Sequence, residues 1–249
     1  MLKLLKQIYK TCLSERSRIQ LHHFKHSIRG LFYSGNQVHC VCCKNSFSKF
    51  LTYGNIRRKN AACPSCNTLE RNRILLLYLQ EETNFFIDKL SVLHFAPEFK
   101  LERIFRTQSN LDYISADINP ELAMKKIDIQ DIDFGDNRFD YILCSHVLGH
   151  VPDEFQAFKE LKRVLKPNGC LLLMTKIYHD LEYTFEGTGM FNAENQCIFR
   201  KHGRDFTDRI IESGFEVTVK DVAKELGPEK TMKYGLGQNE LLYICRKLV

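Results

Sequence analysis

The chain of 249 residues carries 36 Lys and Arg against 30 Asp and Glu, with 10 cysteines and no tryptophan. A hydrophobic fraction of 44% and a charged fraction of 27% exclude a collagen-like, fibrous or wholly disordered chain, and the length suits one large domain or a medium domain with an appendage. The net charge of +6 divides unevenly: residues 1–80 hold 14 bases and two acids, for +12, which leaves −6 for the remainder. The chain reads as two electrostatic objects joined near residue 82.

Residues 1–35 place Leu2, Leu5, Ile8, Cys12 and Ile19 at helical spacing with bases between them. The plain reading is a basic amphipathic segment with one face packed on the body. Peripheral contact with a membrane surface, an arm on nucleic acid and a transit peptide are the alternatives. Lys3, Lys6 and Lys10 interrupt any apolar core of a secretory signal. The longest uncharged apolar stretch, Ile74 to Leu79, is too short to span a bilayer. A reducing, cytoplasmic setting is expected, where clustered thiols more often bind metal than pair as disulfides.

Residues 36–82 read as a zinc module with its exit helix. Cys40-Val-Cys-Cys43 and Cys63-Pro-Ser-Cys66 give C-x2-C, nineteen residues, then C-x2-C, a spacing expected of a four-thiolate zinc site. Two thiolates three apart on a tight knuckle can reach one ion, and two knuckles complete a tetrahedron. Cys40, Cys43, Cys63 and Cys66 are the expected ligands; Cys42 is the spare, and His39 beside Cys40 is a weaker candidate. Four protein ligands leave no open position, so the ion's role is structural. Phe47, Phe50 and Tyr53 alternate with bases in a way that suits either base stacking or a small core. Thr68 to Gln80 then reads as a helix.

Residues 83–249 change period. Leu90–Phe95, Tyr113–Asp117, Ile127–Ile129 and Phe139–Cys144 read as strands, and Phe99–Gln108 and Asp153–Leu165 as helices. A turn at Lys166–Gly169 leads to a strand over Cys170–Thr175. Asp205–Ser213 reads as a helix, and Phe215–Val219 and Glu240–Cys245 as extended. Strands alternating with helices predict a doubly wound, mainly parallel α/β sheet with its ligand at the strands' carboxyl ends. That places His94–Glu98, Asp117, Asp128 and Ser145–His150 around one crevice. Asp117 stands 21 positions after Ala96, near the spacing of about 20 expected of a carboxylate that binds ribose hydroxyls. Asp128 is expected to meet an adenine amino group. A helix cap or turn is the ordinary alternative for both.

Phe139-Asp-Tyr-Ile-Leu-Cys-Ser-His-Val-Leu-Gly-His-Val-Pro-Asp153 and Phe158 through Met174 resemble the fourth- and fifth-strand motifs of class I S-adenosylmethionine-dependent methyltransferases. Gly203–Phe206 and Glu212–Phe215 resemble that family's late helix and turn. With the cysteine pairs, Leu69-Glu-Arg71 and Leu93–Glu98, the chain is similar to a bacterial subgroup carrying a zinc ribbon. The resemblance implies a Rossmann-like, seven-stranded, doubly wound α/β sheet over about residues 90–246, with a small N-terminal four-cysteine zinc module. It implies S-adenosylmethionine across the strand ends, with His94, Ala96, Glu98, Asp117, Ile118, Asp128, Ile129 and Ser145 as cofactor-binding candidates.

Two departures stand out. The turn after the first strand, His94-Phe-Ala-Pro-Glu98, has no glycine, so either side chains hold the cofactor's methionine end, with Glu98 or His94 facing its ammonium, or binding is weakened. Gly149 stands where the family usually has Glu. His146 and His150 are the candidate bases, since neutral imidazole accepts protons near pH 7, and Lys176–Lys201 is expected to be a lid. The leading function is methyl transfer to a small molecule or glycan. An RNA methyltransferase using the basic module is the second, and a non-catalytic cofactor-binding or nucleic-acid adaptor the third. The oligomeric state is not legible.

Overall fold

The computed structural model describes residues 14–55, 57–191, 197–237 and 240–247. Leu2, Leu5, Ile8 and Cys12 of the expected N-terminal helix lie outside the described residues. Helix α1 (Glu15–Leu31) begins at Ser14, whose hydroxyl accepts from the Ser17 amide, the usual role of an N-cap serine. Two small antiparallel ribbons follow, β1 (Ser34–Cys40) with β2 (Asn45–Phe47) and β3 (Leu51–Tyr53) with β4 (Arg58–Ala62). Helix α2 (Glu70–Glu81) leaves the second cysteine pair.

The body contains β5 (Leu90–Phe95), α3 (Phe99–Arg106), β6 (Leu111–Asp117), β7 (Lys125–Lys126), β8 (Phe139–Ser145), a 3-10 turn (Leu148–His150), α4 (Glu154–Val164) and β9 (Leu165–Met174). Then come β10 (Phe185–Phe191), β11 (Cys197–Lys201), α5 (Phe206–Glu212), β12 (Phe215–Lys220), α6 (Val222–Tyr234) and β13 (Leu242–Lys247). Seven of these strands form one sheet in the order β12-β13-β9-β8-β5-β6-β7. Only β13 runs against its neighbours β12 and β9.

Alternate residues along each strand enter different cores. Leu93, Ile142 and Leu171 face α4 and α5, while Val92, Leu143 and Leu172 face the other side with α2. Covering both faces is what lets parallel strands read as continuous apolar runs. Cys40, Phe47, Phe50 and Cys63 belong to the second of these cores, so the cysteine module shares one continuous core with that face of the sheet. Arg73, fully buried, fixes that packing: it donates to the carbonyls of Thr68, Ala61 and Gly235 and its guanidinium lies 4.2 Å over the Phe50 ring.

Two local expectations are corrected. The third strand is Lys125–Lys126. Ile127 and Ile129 are instead buried beyond it, and only Asp128 forms a bridge, to Asp131. Lys166–Gly169 is an irregularity inside β9, where pairing skips from Phe139↔Leu165 to Tyr141↔Cys170. The segment Lys176–Lys201 contains the β10–β11 hairpin. Helix α6 was not foreseen; it is broken at Gly227, whose φ of 76° precedes Pro228.

Candidate functional site

The cysteine cluster assembles as expected. The ligand atoms of Cys40, Cys43, Cys63 and Cys66 all lie within 4.8 Å of one another, with Sγ–Sγ separations of 3.6 Å for Cys40–Cys66 and 3.7 Å for Cys43–Cys63. Four Zn–S bonds of about 2.3 Å in a tetrahedron require sulfurs about 3.8 Å apart, so the donor set fits zinc in number, type and spacing. Thr68 Oγ1 lies 3.1 Å from Cys66 Sγ and supports the thiolates from outside. Cys42 is buried, and burial pushes its thiol up, which suits a neutral packing residue. His39 turns away, its Nδ1 3.1 Å from Ser46 Oγ.

The second cluster lies where the sheet order reverses between β5 and β8, the position at which such sheets bind ligands. Ala96, directly after β5, has φ of 46°, and His146, directly after β8, has φ of 56°. The left-handed turn that glycine usually makes after the first strand is therefore kept with alanine, at a cost of about 1–2 kcal/mol. Strained residues of this kind gather at binding sites, and these two flank the crevice.

His94 is fully buried on β5, its Nδ1 2.9 Å from Tyr113 Oη and its Nε2 3.3 Å from Glu98 Oε2. Glu98 Oε1 accepts from Asn72 Nδ2 at 2.7 Å and lies 3.8 Å from Arg71 Nε. Burial raises the Glu98 carboxyl, but His94 and Arg71 outweigh it and hold the group below its usual value. Across the crevice, His146 Nε2 is 3.6 Å from Glu240 Oε2. Burial and Arg71 push the His146 imidazole down against the pull of Glu240, so it is neutral near pH 7.

The polar accounting of this cluster is incomplete. Arg71 Nε, His94 Nε2, Glu98 Oε2, Ser145 Oγ and His146 Nε2 are buried without a hydrogen-bond partner, and Arg73 Nε is the only other such side-chain atom among the described residues. Orphaned buried polar atoms are rare in folded proteins and each calls for an explanation. By contrast, the groove at the opposite, amino ends of the strands, lined by Lys89, Asn110, Arg138 and Lys166, contains none of these orphaned atoms. There Asp140 Oδ2 accepts from Ser91 Oγ and Lys166 Nζ.

The remaining candidates divide. Asp117 is half-buried at the end of β6; burial and Glu15 raise its carboxyl while the Asn119 amide, 2.8 Å from Oδ1, opposes them. Ile118 beside it is exposed. Asp128 forms a local turn, with Oδ1 accepting from the Gln130 amide and both oxygens near Gln130 Nε2, and Ile129 is buried. His150 on the 3-10 turn is committed through Nδ1 to the Cys197 carbonyl at 2.6 Å, which ties this turn to the hairpin. A Cβ at Gly149 would meet only Arg200 O at 3.5 Å, so its departure is not forced by space.

Sequence reasoning missed Arg71, Asn72 and Glu240 in this crevice, and also Arg200. Arg200 on β11 donates to the carbonyls of Leu148, Val151 and Pro152 at 2.6, 2.6 and 2.8 Å. It thereby pins the segment that carries the two histidines. Beside it, His202 Nε2 is 2.8 Å from Glu154 Oε2, and Arg209 also pairs with Glu154.

The strand order, the single reversed strand and the crevice at the switch point define a class I methyltransferase fold. Residues 101–173 match the family model described as "Methyltransferase domain". The chain is similar to a tRNA U34 carboxymethyltransferase of Nautilia profundicola, 38% identical over 66 residues, covering 26% of this chain and 22% of that one. It is also similar to a demethylmenaquinone methyltransferase of Staphylococcus carnosus, 48% identical over 47 residues, covering 19% and 20%. The chain thus spans about a fifth of the length of these curated relatives. An S-adenosylmethionine-dependent methyltransferase from Mesorhizobium loti shares the fold with a TM-score of 0.50 at 15% identity, covering 71% of this chain and 98% of that one.

Proposed function

We propose that the chain is an S-adenosylmethionine-dependent methyltransferase whose structural zinc, held by Cys40, Cys43, Cys63 and Cys66, builds one wall of the cofactor crevice. The observation that carries the reading is the set of five orphaned polar atoms at the carboxyl ends of β5 and β8, inside a methyltransferase fold. They fit a ligand that bears both charges and hydroxyls.

In this reading Asp117 accepts from the ribose, since Asn119 occupies only one of its oxygens. The backbone at Ile118, Asp128 and Ile129 borders the adenine, and His94, Ala96, Glu98 and Ser145 surround the methionine end. The bound cofactor would supply an electrophilic methyl group. The chain's own work is alignment, where proximity contributes roughly 7–11 kcal/mol, and proton removal from the acceptor. His146 is the base: its neutral Nε2 is unpartnered, and Glu240 at 3.6 Å stabilises the imidazolium once formed. His150 holds the turn to the hairpin rather than touching the acceptor.

The acceptor is a small molecule or glycan, taken beneath the β10–β11 hairpin, and the protein acts in the cytoplasm. An RNA acceptor is the second reading, favoured by the +12 charge of residues 1–80 and by the likeness to a tRNA-modifying relative. The units 1–35, 36–82 and 83–249 act as arm, zinc module and catalytic domain.

Incubating the zinc-loaded chain with methyl-labelled S-adenosylmethionine and a cell extract tests this. Label that His146→Gln lowers by about 100-fold, and that moves into nuclease-resistant small molecules, is the expected result. Label in nuclease-sensitive polymer selects RNA, and no transfer with any fraction contradicts the enzyme.

A further inference from the structure

We infer that Arg71, brought into the crevice by the helix that leaves the second cysteine pair, binds the α-carboxylate of the cofactor's amino-acid end while Glu98 receives its α-ammonium. This inference rests on the S-adenosylmethionine reading above and adds to it that the zinc module supplies part of the cofactor site.

The position of Arg71 is set by the cysteine knuckle. Cys63 N donates to Thr68 O at 3.0 Å, Thr68 Oγ1 touches the Cys40 and Cys66 sulfurs, and the Leu69 amide donates to Asn72 Oδ1 at 2.8 Å. Arg71 follows on the first turn of α2. Asn72, beside it, holds Glu98 Oε1, while Oε2 faces His94 Nε2 at 3.3 Å without a hydrogen bond. The guanidinium Nε is unanswered too, because 3.8 Å to Glu98 exceeds hydrogen-bond range.

The crevice therefore presents one cationic donor without a partner and one carboxylate oxygen that makes no hydrogen bond, although His94 Nε2 lies 3.3 Å from it. A ligand of a single sign would satisfy only one of them, whereas a zwitterionic amino-acid group satisfies both. Guanidinium is the side chain whose planar fork matches a carboxylate. The charged side chains Arg71, Glu98 and Glu240 sum to −1, which complements a ligand that carries a sulfonium besides its zwitterion. The need is local: the turn after β5 keeps its left-handed residue at Ala96, but Pro97 offers no N–H, so a side chain from outside the sheet takes over the anion.

The test is calorimetric titration of the zinc-loaded full chain with S-adenosylhomocysteine and with 5′-methylthioadenosine, which lacks the amino-acid end. Arg71→Met is expected to weaken S-adenosylhomocysteine by about 10–100-fold and to leave 5′-methylthioadenosine within two-fold, with Arg71→Lys between. Thermal unfolding and zinc content of both variants are expected to match the parent. S-adenosylhomocysteine bound equally well by Arg71→Met overturns the assignment alone, as does equal weakening of both nucleosides. A parent chain that binds neither nucleoside overturns the assignment and the cofactor reading together.

Discussion

Arg200 is 4% exposed, yet its guanidinium serves three carbonyls of the segment that follows His146 and lies 3.7 Å from the buried Glu154. Arg200→Met keeps the stem and removes every one of these bonds. Stranding one member of a buried pair costs about 3–5 kcal/mol. Glu154 keeps His202 and Arg209, so the lower end, about 3 kcal/mol, applies. For a chain of this length each kcal/mol moves the melting temperature by about 2–4 °C, which gives a drop of about 6–12 °C. Thermal unfolding, with urea midpoints at an unchanged m-value, measures it, and amide exchange should quicken across residues 146–153. A fall below about 2 °C, or exchange unchanged in that segment, would refute the claim that Arg200 holds the histidine segment in place.

Metal analysis should find one zinc per chain. Cys63→Ser should lose the ion and broaden or abolish cooperative unfolding, because the thiolate core is continuous with the sheet face; full zinc retention would contradict the four-thiolate site. Acid should weaken the fold through helix α1. His23 and His26 are each pushed down to about 4, chiefly by burial, so the unfolded chain, near 6.5, binds the protons first. Their contribution is intact above pH 6.5 and is lost as pH falls toward 4. Urea midpoints from pH 7.5 to 4.5 should fall, and His23→Gln with His26→Gln should flatten the slope; an unchanged slope in the double variant would contradict this.

Much of the fold is legible because the chain's central strands are buried on both faces and therefore announce themselves as apolar runs: Leu90–Phe95, Phe139–Cys144 and Cys170–Met174 all lie in the sheet. The four cysteines are legible for a different reason, since knuckle geometry dictates spacing. What escapes is polar or interrupted. Strand β7 is two exposed lysines paired with Ala116 and Asp117. Helix α6 contains Gly227-Pro228 and reads as a break. In the crevice, Ala96 and Ser145 follow from their place at strand ends, whereas Arg71, Asn72 and Glu240 come from elements outside the strand–helix alternation. Nothing local in sequence marks them as partners of Glu98 and His146. The hidden role of Arg200 has the same cause, because its acceptors are backbone carbonyls and carry no residue signature.

A cofactor held in the crevice with its ribose at Asp117 is the claim on which every other role depends. Calorimetric titration of S-adenosylhomocysteine into the zinc-loaded chain should show one site. Asp117→Asn should weaken it by about 10–100-fold, the equivalent of one charge-assisted hydrogen bond of about 1.5–3 kcal/mol. Because burial raises the Asp117 carboxyl, the same variant without ligand should melt no lower than the parent. Undiminished binding by Asp117→Asn, or none by the parent at millimolar ligand, would contradict the account.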